Sequence, residues 1–182
     1  WSMSPNISDS SKQNLKNCNH IVKLNFMLTQ RKIRICRKFT FDMAHALYGY
    51  QGQCKNIHGH TYHLEVMLEG TPLNDPGNSI DGMVMDFGDL KSIVTKHILE
   101  IFDHALVLNG DAAYTDHNAF LENFEKIVIL PFQPTCENLI LHFVDLLIDK
   151  FTKDVQLYSI RLDETPNAFA IWENTNLWSQ IS

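Results

Sequence analysis

The chain has 182 residues and is 45% hydrophobic, enough for one sizeable core and too little for two comfortable domains. Its formal charge of -6 is spread along the chain with no basic stripe interleaved with aromatics, which speaks against general nucleic-acid affinity and for a small-molecule partner. The four cysteines, at 18, 36, 54 and 136, form no CxxC pair, which suits a reducing, cytoplasmic setting, and no apolar run approaches the roughly 18 residues that span a bilayer.

Residues 1–30 are rich in Ser and Asn without sustained apolar periodicity and read as a flexible N-terminal extension; the folded domain is expected over 31–182. Ile33, Ile35, Phe39 and Phe41 suggest a first strand. A second follows at Tyr62–Glu69, where Leu64, Val66 and Leu68 alternate with His63, Glu65 and Glu69. Thr71 to Asn78 is a loop by its Pro, Gly and Asn content. Asp86 is placed to cap a helix with Leu90, Ile93, Val94, His97 and Ile101 on one face, and Thr135 to cap a second with Leu139, Phe143, Leu146 and Leu147 facing inward. Between them, Ile127–Leu130 is a short strand or a buried loop segment. Val155–Leu162 and Ala168–Trp172 read as two closing strands around the turn Glu164-Thr-Pro-Asn167. Strand, strand, helix, helix, strand, strand is the order of an α+β protein, an antiparallel sheet with its helices on one face.

The chemistry concentrates in Phe41-Asp-Met-Ala-His45 and Cys54-Lys-Asn-Ile-His58-Gly-His60. A strand alternates its faces, so His58 and His60 project from the same side, and His45, after a neighbouring strand, can supply a third nitrogen. Three protein ligands with one open position describe a catalytic zinc, whereas a structural zinc wants a fourth. On spacing alone Cys54 could be that fourth ligand, a buried apolar thiol, or a nucleophile or base.

Six ordered motifs go further: Phe-x-x-Ala-His45, Cys54-x-x-x-His58-Gly-His60, Met83-Val-x-Asp86-Phe, Asp103-His104, Pro134-Thr-x-Glu-Asn138 and Glu164-Thr-Pro. Together they resemble the 6-pyruvoyltetrahydropterin synthase and 6-carboxytetrahydropterin synthase family over Arg31 to Glu173. The resemblance implies the tunnelling fold, a four-stranded antiparallel sheet with two helices inserted between its second and third strands. It also implies an assembly, a hexamer of two stacked trimers. By the same resemblance His45, His58 and His60 bind zinc, Cys54 is the proton-abstracting base, Asp103 and His104 its relay, and Glu164 the pterin anchor. Thr135 and Glu137 are helix-start residues that could also touch the pterin. The chain departs from the usual pattern at Phe102, Met43 and Trp172, none of which is a reacting group. Adjacent side chains diverge on a regular element, so a direct Asp103–His104 bond is not expected.

The implied substrate is 7,8-dihydroneopterin triphosphate. One branch of the family eliminates triphosphate and forms a 6-pyruvoyl side chain. The other also releases acetaldehyde and leaves 6-carboxy-5,6,7,8-tetrahydropterin. The three residues between Cys54 and His58, and the stretch Leu130-Pro-Phe-Gln-Pro-Thr135, resemble the 6-carboxy branch, which feeds 7-deazaguanine and queuosine synthesis. That lyase is the expectation, with the 6-pyruvoyl enzyme as its alternative. A pterin-binding module without turnover is disfavoured because Cys54 and His104 accompany the histidines, and a metal-storage or structural zinc protein because a fourth ligand is missing.

Overall fold

Two-residue alternation shapes the two long strands. In the computed structural model, which describes residues 31–113 and 118–176, β1 (Ile33–His45) pairs antiparallel with β2 (His58–Gly70) along its whole length, from Ile33 opposite Gly70 to His45 opposite His58. Phe39, Phe41 and Met43 of β1 thereby share a buried face with Tyr62, Leu64, Val66 and Leu68 of β2. Phe41 and Tyr62 stack across the pair, with ring centroids 5.3 Å apart. Leu64, Val66 and Leu68 are 0% exposed, and complete burial of such an aliphatic side chain contributes about 1.5–3 kcal/mol. The expected extension over residues 1–30 lies outside the described residues.

β3 (Ala105–Asn109), β4 (Ile127–Leu130), β5 (Val155–Thr165) and β6 (Ala168–Glu173) complete a sheet ordered β4-β3-β1-β2-β5-β6. Four of its strands, β1, β2, β5 and β6, form the expected antiparallel set. The expected total of four is corrected, however: β3 runs parallel to β1 and β4 parallel to β3, so the sheet is mixed and has six strands among the described residues. Ala105-Leu-Val-Leu-Asn109 is buried at every position. With no polar alternation, so short an apolar run carries no strand signature.

α1 starts where expected, with the Asp86 side chain accepting the Gly88 N–H. It runs Phe87–Val94, passes through a π-helical stretch Thr95–Leu99 and finishes as Glu100–Phe102. Leu90, Val94, Ile98 and Phe102 are fully buried, whereas His97 is half-buried and Ile101 exposed. The wider π turn is the reason: it makes the inward stripe recur every fourth residue, where a regular α-helix would return to 97 and 101. The short α2 (Asn118–Leu121) adds Leu121 to a small cluster with Ala46, Leu106 and Leu108. α3 (Cys136–Leu147), capped by Thr135, buries Leu139, Phe143 and Leu147 as expected, with Ile140 and Val144 beside them. α1 and α3 pack into one core with the same sheet face. No helix among the described residues is long and apolar enough to cross a membrane.

Candidate metal centre and active site

The three histidines continue the apolar sheet face at its end. His45 closes β1, His58 and His60 open β2, and the register sets His45 opposite His58. One ligand nitrogen from each lies within 4.8 Å of the other two; among the described residues this group contains the three histidines and not Cys54. His45 Nδ1 lies 2.7 Å from the Pro134 carbonyl and His58 Nδ1 2.9 Å from the Asn56 carbonyl. A carbonyl only accepts, so both Nδ1 atoms carry the hydrogen, and in the neutral rings both Nε2 atoms present lone pairs. These two Nε2 atoms are 3.1 Å apart, a repulsive arrangement that a cation relieves. Nitrogens on a tetrahedral zinc, each at about 2.0–2.1 Å, stand about 3.3–3.4 Å from one another. The donor set therefore fits a small divalent cation. Burial, reinforced by His58 and His60, holds the His45 pKa below the ordinary histidine range despite the opposing Pro134 carbonyl and Glu164 carboxylate. Its neutral, ligating form is favoured.

His45 and His58 wall a cavity of about 190 Å³ shared with Cys54, Thr135, Glu137 and Glu164. Cys54 sits on a single 3-10 turn, Gln53–Lys55, in the β1–β2 connection, partly buried, its carbonyl accepting the Leu47 N–H at 2.9 Å. Glu164 is the extra residue of a bulge: Asp163 pairs with Phe169 and Thr165 with Ala168, leaving Glu164 without a partner across the ladder. A bulge re-aims a side chain. Glu164 Oε1 accepts the Tyr62 hydroxyl at 3.2 Å and lies 3.7 Å from His45 Nε2. Burial first, and then the Glu164 charge, push the Tyr62 pKa above the usual phenol range, so its hydroxyl stays a donor. Thr135 Oγ1 accepts the Asn138 N–H at 3.3 Å as an N-cap, which leaves its own hydroxyl hydrogen for the cavity.

His60 borders a second space, a groove of about 1010 Å³ that also holds Asp42, Asp103 and His104. The Asp103–His104 expectation is corrected here, because the two residues sit on a turn rather than a regular element. His104 adopts a left-handed φ of 60°, and His104 Nδ1 comes within 2.9 Å of Asp103 Oδ1. Such a conformation is sparsely populated outside glycine and persists where surroundings enforce it. Asp42 does so from β1: its N–H donates to Asp103 Oδ1 at 3.1 Å and its carbonyl accepts the His104 N–H at 2.7 Å. Lys126 Nζ adds a bond to the Asp103 carbonyl at 2.7 Å.

The structure thus brings His45, His58, Cys54, Thr135, Glu137 and Glu164 to one cavity and places Asp103 and His104 in another. Sequence reasoning missed four contributors, two side chains and two backbone carbonyls. Tyr62 follows His58 and His60 on the same strand face, a signal that alternation carries. Cys136 lines the small cavity as a second thiol, but it donates to the Leu162 carbonyl at 3.3 Å and burial pushes its pKa to about 11. The Pro134 and Asn56 carbonyls, being backbone groups, leave no trace in residue identity.

Fold and site together define an enzyme of the tetrahydropterin synthase type. Residues 34–175 match the family described as 6-pyruvoyl tetrahydropterin synthase, and the chain belongs to that family. A 6-carboxy-5,6,7,8-tetrahydropterin synthase of Haemophilus influenzae is 37% identical over 142 residues, 77% of this chain and 98% of that protein. Its namesake from Rickettsia bellii is 31% identical over 139 residues, 75% of this chain and 97% of the relative. Among solved structures, the 6-pyruvoyl tetrahydropterin synthase of Caenorhabditis elegans superposes with a TM-score of 0.55 at 23% identity, covering 79% of this chain and 96% of that one, a likeness of fold.

Proposed function

We propose that the chain is a zinc-dependent 6-carboxy-5,6,7,8-tetrahydropterin synthase. It takes 7,8-dihydroneopterin triphosphate and releases triphosphate and acetaldehyde, within queuosine and 7-deazaguanine synthesis. The observation that carries the reading is the convergence of His45 Nε2 and His58 Nε2, 3.1 Å apart, on a cavity whose other walls hold Cys54 and Glu164. Relatives bearing that activity's name, matched over nearly their whole length, support the choice of branch.

His45, His58 and His60 would hold the zinc, which when bound supplies Lewis acidity to the side-chain hydroxyls of the substrate and acidifies the bonds beside them. Cys54, as thiolate, accepts the proton removed from carbon. A free thiol with pKa of about 8.5 is only a few per cent ionised at pH 7, so it needs a proton acceptor nearby. His104 fills that role. Asp103, at 2.9 Å from His104 Nδ1, fixes the tautomer and stabilises the imidazolium. Glu164 accepts the paired N–H donors of the pterin ring, held in place by Tyr62, while Thr135 and Glu137 border the ring site.

Cys54 and His104 line separate cavities of one chain, and the apolar-rich edge strand β6, with Phe169 and Ile171 exposed, is open to pairing. Both features support a site completed by a second copy; the homo-oligomer proposed is a hexamer, a dimer of trimers. The test of the reaction is product analysis by mass after incubating zinc-loaded protein with 7,8-dihydroneopterin triphosphate. The reading expects 6-carboxytetrahydropterin and acetaldehyde. A 6-pyruvoyl product without acetaldehyde would move the chain to the other branch, and binding without turnover would make it a pterin-binding module.

A further inference from the structure

Gln133 lies just before α3, half-buried, with its carboxamide against the backbone of Tyr48. Its Oε1 accepts the Tyr48 N–H at 3.0 Å, and its Nε2 donates to the Tyr48 carbonyl. A single side chain therefore makes both bonds that a neighbouring strand would make. Tyr48 belongs to the β1–β2 connection that carries Cys54, and this connection is closed on itself next door, where the Leu47 N–H donates to the Cys54 carbonyl at 2.9 Å. Any tie at Tyr48 reaches Cys54 through one residue and one hydrogen bond.

Gln133 is itself anchored. Its carbonyl accepts the Thr135 N–H at 2.8 Å and Asn138 Nδ2 at 3.0 Å, both at the start of α3. The next residue, Pro134, offers the carbonyl that orients His45 at 2.7 Å. The two-residue segment Gln133–Pro134 consequently refers the Cys54 connection and a metal-ligating imidazole to one rigid point.

We infer that Gln133 is a positioning residue: its carboxamide latches the Cys54-bearing connection to the start of α3 and so fixes where the thiol stands relative to the histidine cluster. The inference rests on the proposed role of Cys54 as the base. Its chemistry is specific, because the latch needs an acceptor and a donor on one planar group. Glutamate has nearly the shape of glutamine but at neutral pH only accepts, and its second oxygen would face the Tyr48 carbonyl. Leucine fills space and offers neither bond.

The test compares wild type, Gln133→Glu and Gln133→Leu as full-length, zinc-loaded proteins. Iodoacetamide labelling is followed by peptide mass at Cys54, with Cys36 as internal reference, alongside kcat and KM for 7,8-dihydroneopterin triphosphate. Both variants should label Cys54 about tenfold faster, the scale set by losing two hydrogen bonds. Cys36 labelling should stay as in wild type. Misplacing a reacting group by about 1 Å lowers kcat by about 10²-fold, and KM should change little because Glu164 is untouched. Glu should be as damaging as Leu. Wild-type labelling and turnover in Gln133→Glu would overturn the latch, as would a rise at Cys36 in proportion to that at Cys54, which marks general loosening. If wild type shows no turnover while Cys54 labelling still accelerates selectively, the latch stands and the proposed reaction falls. If wild type turns over and the variants label normally, the reaction stands and the latch falls.

Discussion

The small cavity draws its walls from the ends of long paired strands, with His45 1% exposed and two imidazoles aimed by backbone carbonyls. The groove instead carries its acid–histidine pair on a turn, where the His104 side chain is 77% and that of Asp103 41% exposed. Sheet register brings the three histidines of the first arrangement together, while Cys54 comes from the β1–β2 connection and Glu164 from a bulge. The second requires a left-handed residue held by Asp42 and Lys126. The three histidines and Glu164 are buried or half-buried, whereas the Asp103–His104 pair faces outward. The histidine cluster joins the two regions, since His60 borders the groove and its partners border the cavity.

The largest expected effect comes from the histidine cluster. His58→Ala removes one of two facing Nε2 atoms, and zinc measured by elemental analysis should fall from about one ion per chain towards none, with turnover lost alongside. Retained zinc and activity would break the assignment. Cys54→Ala should leave zinc and fold intact and lower turnover by about 10²–10⁴, the usual contribution of a positioned acid–base group. Near-normal turnover would reduce Cys54 to a packed thiol, and released zinc would make it a ligand.

Tyr62→Phe deletes the hydroxyl on Glu164 and little else. A hydrogen bond to a charged group contributes about 1.5–3 kcal/mol, so substrate KM should rise about tenfold or more with zinc unchanged. An unaltered KM would show that the bulge alone positions Glu164. The smallest effect is on stability. Burial holds both His45 and His142 below the ordinary histidine pKa, while the unfolded chain titrates near about 6.5. Below that pH the unfolded state binds more protons, so stability that is complete above about pH 6.5 declines as the pH falls towards the folded values. Melting curves of metal-free protein at about pH 7.5 and 5.5 check the sign, and His142→Phe should flatten the dependence.

How far the sequence reveals this molecule depends on which physical signal each part leaves. The long strands and α3 announce themselves by period, and Asp86 and Thr135 by capping chemistry, so these agree with the structure. The second half of α1 does not, because nothing in Thr95-Lys-His-Ile-Leu99 marks a π turn, and the inward stripe slips from His97 and Ile101 to Ile98 and Phe102. β3 is buried throughout and therefore patternless. At the site, residue types and the alternation at His58 and His60 disclose the cluster. The Asp103–His104 contact depends on a positive φ that no neighbouring glycine advertises, and the Glu164 bulge on a register set by β6.

In the proposed mechanism Cys54 of one copy works with His104 of another, and subunit mixing tests this most directly. Cys54→Ala and His104→Ala, each purified as inactive protein, are unfolded together, refolded as a mixture and assayed with 7,8-dihydroneopterin triphosphate. A shared site regains roughly a quarter of wild-type turnover, the random-mixing fraction for a contact between unlike surfaces of two subunits. A mixture as inactive as its parents, from variants shown to co-assemble, would place both residues' work within one chain and contradict the account.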